Sequence, residues 1–150
     1  MGVNQDNPRT RHWKGTQMSS TTTELTERTR LAAETMYGSV ARGDLDTFMS
    51  YVSPSVVIVE PEYLPYGGRY QGLDGLQQLF VEFAARFDLS GLQIERIVVD
   101  GAHVCAICRV PTASGKSVVE FIEHAVFENE RAVELRIYMH HLGDLIESMA

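Results

Sequence analysis

Two glutamates carry the strongest chemical signal in this chain. Glu60 closes the apolar run "SVVIVE" immediately before Pro61, and Glu123 sits inside "SVVEFIEHAVF". Side chains alternate along a strand, so parity sorts the faces. Around Glu123 the odd set is Val119, Phe121, Glu123, Ala125 and Phe127. The even set is Glu120, Ile122, His124, Val126 and Glu128, with charges at both ends. The odd set is the better inward face. A carboxylate among such neighbours is costly, so its pKa should rise and it should have a partner or a task. Glu60, beside a proline and a polar loop, is expected to be wetter and ionised. Two carboxyls in unlike settings supply an acid and a base at one pH. Such a pair could move a proton within one pocket.

The histidines divide by the same parity. In the last strand Val133, Leu135, Ile137 and Met139 form the inward set, and His141 continues it. His141 is therefore expected at the pocket mouth, either as a third catalytic group or simply as the cap of the strand end. In 103–110 the small apolar set Val104, Ala106, Cys108 and Val110 faces in, which turns His103 outward, and His124 follows its own even set outward. The string "CAIC" (Cys105, Cys108) has no second ligand pair for zinc. It lies within a strand-like run, where residues three apart face opposite ways. Both cysteines read as free thiols of a packed sheet. No metal and no cofactor are expected. Gly67-Gly68 marks a turn and resembles no phosphate loop.

The elements that must hold these groups follow from periodicity. Residues 1–23 are polar without an apolar period and read as a disordered tail, with 1–17 expected to be an extension ahead of Met18. The single folded domain is expected over 24–150. Leu25, Thr29, Ala32, Met36 and Val40 recur at helical steps, with Thr23 as cap and Gly43 as stop. Asp44 should cap a short second helix, Leu45 to Tyr51, with Pro54 as its stop. After the strand at 55–60 comes a loop over 61–72, rich in Tyr, Pro and Gly; its Tyr63, Tyr66 and Tyr70 form a lid, a loop-packing cluster or a dimer contact. Asp74 should cap a third helix whose inner stripe is Leu76, Leu79, Phe80, Phe83 and Phe87. Four strands follow, turning at Asp100-Gly101, at Ser114-Gly115 and near 128–131. Helices first and antiparallel strands after give an α+β layout.

Composition narrows the function classes. The chain has 150 residues, enough for one domain with its own core. It is 44% hydrophobic and 22% charged, with a formal net charge of −7. The first 20 residues carry +2 (Arg9, Arg11 and Lys14 against Asp6), so the remainder carries −9. An acidic body repels phosphate backbones, so no nucleic-acid partner is expected. No apolar run approaches the roughly 20 residues of a membrane span, so no membrane partner is expected either. With no secretory signal, a cytoplasmic location is expected.

Three stretches together resemble the nuclear transport factor 2-like superfamily, and within it the SnoaL-like polyketide cyclases and ketosteroid isomerases. They are "ARGDLDTFMSYVSPSVVIVEP", "LPYGGRYQGLDGLQQLF" and "ELRIYMHHLGDL", and the resemblance runs from about residue 25 to 146. It implies a cone-shaped α+β barrel, three N-terminal helices packed in a strongly curved, antiparallel or mixed sheet around one deep pocket. In those isomerases a general-base carboxylate precedes a proline, which is the place of Glu60. A protonated carboxyl lies on the penultimate strand four residues before an aromatic, which is the place of Glu123 before Phe127. The position matching their oxyanion tyrosine holds Met36. Tyr37 follows it, about 100° further round the helix. A related epoxide hydrolase has an acid on the last strand, where this chain has Ile137.

The implied activity is a cofactor-independent acid/base reaction, a cyclisation or isomerisation of a hydrophobic polyketide- or steroid-like molecule. Tyr37, Tyr63, Phe80, Phe83, Phe121 and Met139 are the expected substrate contacts. The alternatives are a non-catalytic binding or dimerisation domain and an epoxide hydrolase. A homodimer is expected, because Ile107, Ile122, Val126 and Tyr138 would leave an apolar patch on the outer sheet face.

Overall fold

The computed structural model describes residues 20–149. Helix α1 (Ser20–Ala41) begins inside the stretch expected to be disordered, so 20–23 are helical; the rest of that tail, with the proposed extension, lies outside the described residues. Its buried stripe is Thr26, Thr29, Ala32, Ala33, Met36, Tyr37 and Ser39. The stripe is wider than one residue per turn, which places Tyr37 inside together with Met36. Leu25 is exposed and Thr26 takes its place, its hydroxyl accepting from the Gly101 N–H at 2.9 Å.

Asp44 caps α2 (Leu45–Ser50) by accepting from the Thr47 N–H at 3.1 Å. Strand β1 (Val52–Glu60) starts earlier than the apolar run, and Pro54 lies in it. Its pairing with β6 slips between Val52 and Val57, which is where a proline without an N–H is tolerated. The expected loop holds a further strand, β2 (Gly68–Gln71), which folds back antiparallel on β1 with Glu60 opposite Gly68. Helix α3 (Gly72–Arg86) starts at a glycine with φ of 72°, so Asp74 lies in its first turn rather than at its cap.

The remaining strands are β3 (Gln93–Asp100), β4 (His103–Pro111), β5 (Val118–Glu128) and β6 (Arg131–His141). The β5–β6 turn places Asn129 and Glu130 at positive φ, as a tight hairpin requires. All six strands form one mixed sheet in the order β2-β1-β6-β5-β4-β3. Only the β1–β6 pair is parallel; it brings the first long strand beside the last. Helix α3 packs on β1, α1 packs on β3 and β4, and α2 joins α1. A short 3₁₀ turn (Gly143–Met149) closes the chain and buries Leu145.

Candidate active site

The helices and the inward sheet face enclose one apolar cavity of about 90 Å³. A water needs roughly 10–15 Å³ of such space, so there is room for several waters or a compact ligand. Its floor comes from β1, β4, β5 and β6, through residues such as Ile58, Cys108, Phe121 and Ile137. Its roof is the aromatic set Phe48, Phe80, Phe83 and Phe87, packed edge to face at centroid separations of 5.5–6.3 Å. The ionisable groups in this wall are Glu60, Glu123, Tyr37, Tyr66 and Cys108, with no Lys, Arg or His among them.

Both glutamates face the cavity, but their settings differ from the expected ones. Glu60 is 1% exposed, and neither carboxyl oxygen has a hydrogen-bond partner. Desolvation, then the charge of Glu123, pushes its pKa up to about 8. The reading of Glu60 as wet and ionised is overturned, because the 61–67 loop and β2 fold back over the strand end. Glu123 is partly buried and accepts a 2.8 Å hydrogen bond from the Tyr37 hydroxyl. Burial raises its pKa to about 7, and the Tyr37 bond opposes the rise. Tyr37 itself is pushed well above the ordinary phenol value, first by burial and then by Glu123, so it stays a donor. Cys108 is a buried free thiol whose pKa burial also raises, which makes it a poor nucleophile.

Tyr37, Phe80, Phe83, Phe121 and Met139 line the cavity as expected. Tyr63 does not: it is 57% exposed, and Tyr66 of the same loop takes the inward place. His141 is exposed as well, its Nδ1 donating to the Val118 carbonyl at 3.2 Å. The reason is a bulge. Phe121 pairs with Met139 but Glu120 pairs with His141, so β6 carries one extra residue at His140 and the parity reverses beyond it. A second bulge, between Val126 and Phe127, sends Ala132 rather than Val133 into the core. His103 and His124 face outward as expected, stacked with nitrogens 3.0 Å apart. Among the described residues no cluster of His, Cys, Asp and Glu is arranged to hold a metal, and no helix is long and apolar enough to cross a membrane.

Three helices on one face of this mixed six-stranded sheet, closing over a pocket with inward carboxyls, define an NTF2-like α+β protein. The chain belongs to the SnoaL-like domain family, which it matches over residues 33–135. An NTF2-like protein of unknown function from Burkholderia pseudomallei K96243 superposes with a TM-score of 0.67 at 19% identity, covering 81% of this chain and 95% of that one. TerC, co-crystallised with polyporic acid, gives 0.64 at 16% identity, covering 75% and 92%. A protein from Kribbella flavida DSM 17836, provisionally described as a ketosteroid isomerase, gives 0.64 at 14% identity, covering 77% and 80%. No curated protein matches the chain by sequence. At these identities the likeness is one of fold.

Proposed function

We propose that this chain is a cofactor-independent acid/base enzyme that isomerises or cyclises a compact hydrophobic ketone. The observation that carries the reading is the pair Glu60 and Glu123 in one apolar cavity whose wall holds no cation. Two carboxylates without a counter-charge cannot both stay ionised in such a place, so the pair retains a proton near neutral pH and titrates as a unit. The proton belongs on Glu60, whose oxygens have no donor to stabilise a charge. The charge belongs on Glu123, where Tyr37 donates to it. This exchanges the two roles expected from the sequence.

In the reaction Glu123 removes a proton next to the substrate carbonyl. The C–H electron pair moves into the carbon–carbon bond, and the carbonyl oxygen gains charge as it accepts the Glu60 proton in a hydrogen bond. Return of the proton to a different carbon isomerises the substrate; attack of the enolate on a second carbonyl closes a ring. The apolar wall keeps water from the enolate. The fold likeness to TerC and to the Kribbella protein supports a small-molecule pocket, and Ile137 stands where the epoxide reading needs an acid.

The direct test is deuterium incorporation next to the carbonyl of a panel of cyclic ketones in D₂O, followed by NMR. Wild type should catalyse exchange. Glu123→Gln should abolish it, whereas Glu60→Gln, whose amide still donates, should keep a measurable fraction. The opposite pattern would assign Glu60 as base. Binding of ketones without exchange by any of them would make the chain a non-catalytic binding domain.

A further inference from the structure

Tyr66 is held firmly, and none of what holds it involves its hydroxyl. Its ring meets Phe83 edge to face at 5.5 Å and Phe87 at 6.3 Å. The Arg86 guanidinium lies over the ring, 5.2 Å from its centroid. Its backbone carbonyl accepts from the Tyr70 hydroxyl at 2.7 Å. The loop beneath it is a double turn, Leu64 N–H to Pro61 O at 3.1 Å and Gly67 N–H to Leu64 O at 2.9 Å. Gly67 is obligatory there, since a Cβ would fall 2.1 Å from the Pro61 carbonyl oxygen. With the ring so fixed, the hydroxyl ends buried with no partner, on a residue that lines the cavity.

A buried hydroxyl without a partner costs stability and calls for a reason. Phenylalanine would fill the same space without that cost. The three unpartnered buried side-chain oxygens among the described residues are this hydroxyl and the two carboxyl oxygens of Glu60, and all belong to residues that line one cavity. They are near enough to feel each other, because the Glu60 charge is second only to burial in raising the Tyr66 phenol. Both groups are neutral donors near pH 7, with nothing in the protein to donate to.

We propose that Tyr66 is a further catalytic residue: its hydroxyl and the Glu60 carboxyl form a two-donor site for the oxygen that becomes negative in the reaction. This rests on the acid/base reading above and adds a residue and a ligand chemistry to it. The site takes a ligand oxygen with anionic character, an enolate or a phenolate on a compact apolar ring system. Tyr37 already spends its proton on Glu123 and is not part of this pair. A developing oxyanion between two preorganised donors in a dry cavity is stabilised far more than in water.

The test uses 2-naphthol, a compact bicyclic phenol whose ionisation is read by fluorescence, with wild type and Tyr66→Phe. Wild type should bind it with the phenol pKa lowered, and Tyr66→Phe should bind it roughly tenfold more weakly or worse, the loss of one hydrogen bond to a charged oxygen. Without ligand, Tyr66→Phe should melt at the same temperature as wild type or higher, which a structural hydroxyl would not allow. Equal naphthol affinity in the two proteins, or no binding by wild type, would overturn the proposal even if ketone exchange is seen. Weakened binding by Tyr66→Phe with no exchange of any ketone would keep the two-donor site and remove the enzymatic reading alone.

Discussion

The Tyr37 hydroxyl donates to Glu123 Oε1 at 2.8 Å, joining the first helix to the penultimate strand across 86 positions of the chain. It is the only side-chain hydrogen bond described for either cavity carboxyl, and it separates two otherwise similar glutamates. Tyr37→Phe should therefore move the Glu123 pKa further up, because the bond stabilises the ionised form. It should also cost about 1–2 kcal/mol of stability near neutral pH, where the carboxyl loses its donor. Carbon-13 NMR titration of the glutamate carboxyls checks the first outcome and urea unfolding the second. An unchanged Glu123 titration would remove Tyr37 from its positioning role.

The two raised carboxyls set the direction of pH dependence. Glu60 at about 8 and Glu123 at about 7 both lie above the ordinary 4.5, so the folded protein holds more protons than the unfolded chain through that interval. Their contribution to stability is largest below about 4.5 and is lost as the pH rises to about 8. Urea midpoints taken from pH 5 to pH 8 should fall in wild type. They should fall less in Glu60→Gln and in Glu123→Gln, each of which should be more stable than wild type at pH 8 by on the order of 1 kcal/mol or more. A variant less stable than wild type at pH 8 would identify its glutamate as an ionised structural anchor.

Asp144 acts in the opposite sense at the far end of the chain. Its carboxylate accepts from Ser114 and Ser117, fastening the C-terminal turn to the β4–β5 hairpin, and these bonds hold its pKa well below the usual range. A depressed carboxyl contributes stability above its unfolded pKa that is lost as pH falls. Asp144→Ala should speed hydrogen exchange in 112–118 and 143–149 at neutral pH and leave the β1–β6 centre unchanged. Uniformly faster exchange would show that the clamp supports the whole fold.

On the outer face Ile107, Ile122 and Tyr138 stand in one cross-strand row, and Tyr138 is 53% exposed. We propose that a second copy covers this row. Sedimentation at micromolar concentration should give a species of twice 16.8 kDa, and Ile122→Glu should return it to the monomer. A single 16.8 kDa species from wild type would end the proposal.

Much of this architecture was legible in residue order. Strand parity alone turned Glu123 inward and His103 and His124 outward, because a half-buried strand punishes a one-residue slip on every side chain. The aromatic stripe of α3 and the tight turn at Asn129-Glu130 were readable for the same local reason. What the sequence could not determine were events that need a distant partner. Two bulges, visible only in the β5–β6 pairing, took His141 out of the site and put Ala132 into the core. The packing of α1 on the sheet, not its spacing, chose Tyr37 as the partner of Glu123. The folding of β2 back on β1 sealed Glu60 and selected Tyr66 over Tyr63. Each was decided by desolvation, which depends on everything that closes around a group. Sequence order names the carboxyls; only the packed structure decides which of them is left without a donor and so keeps its proton.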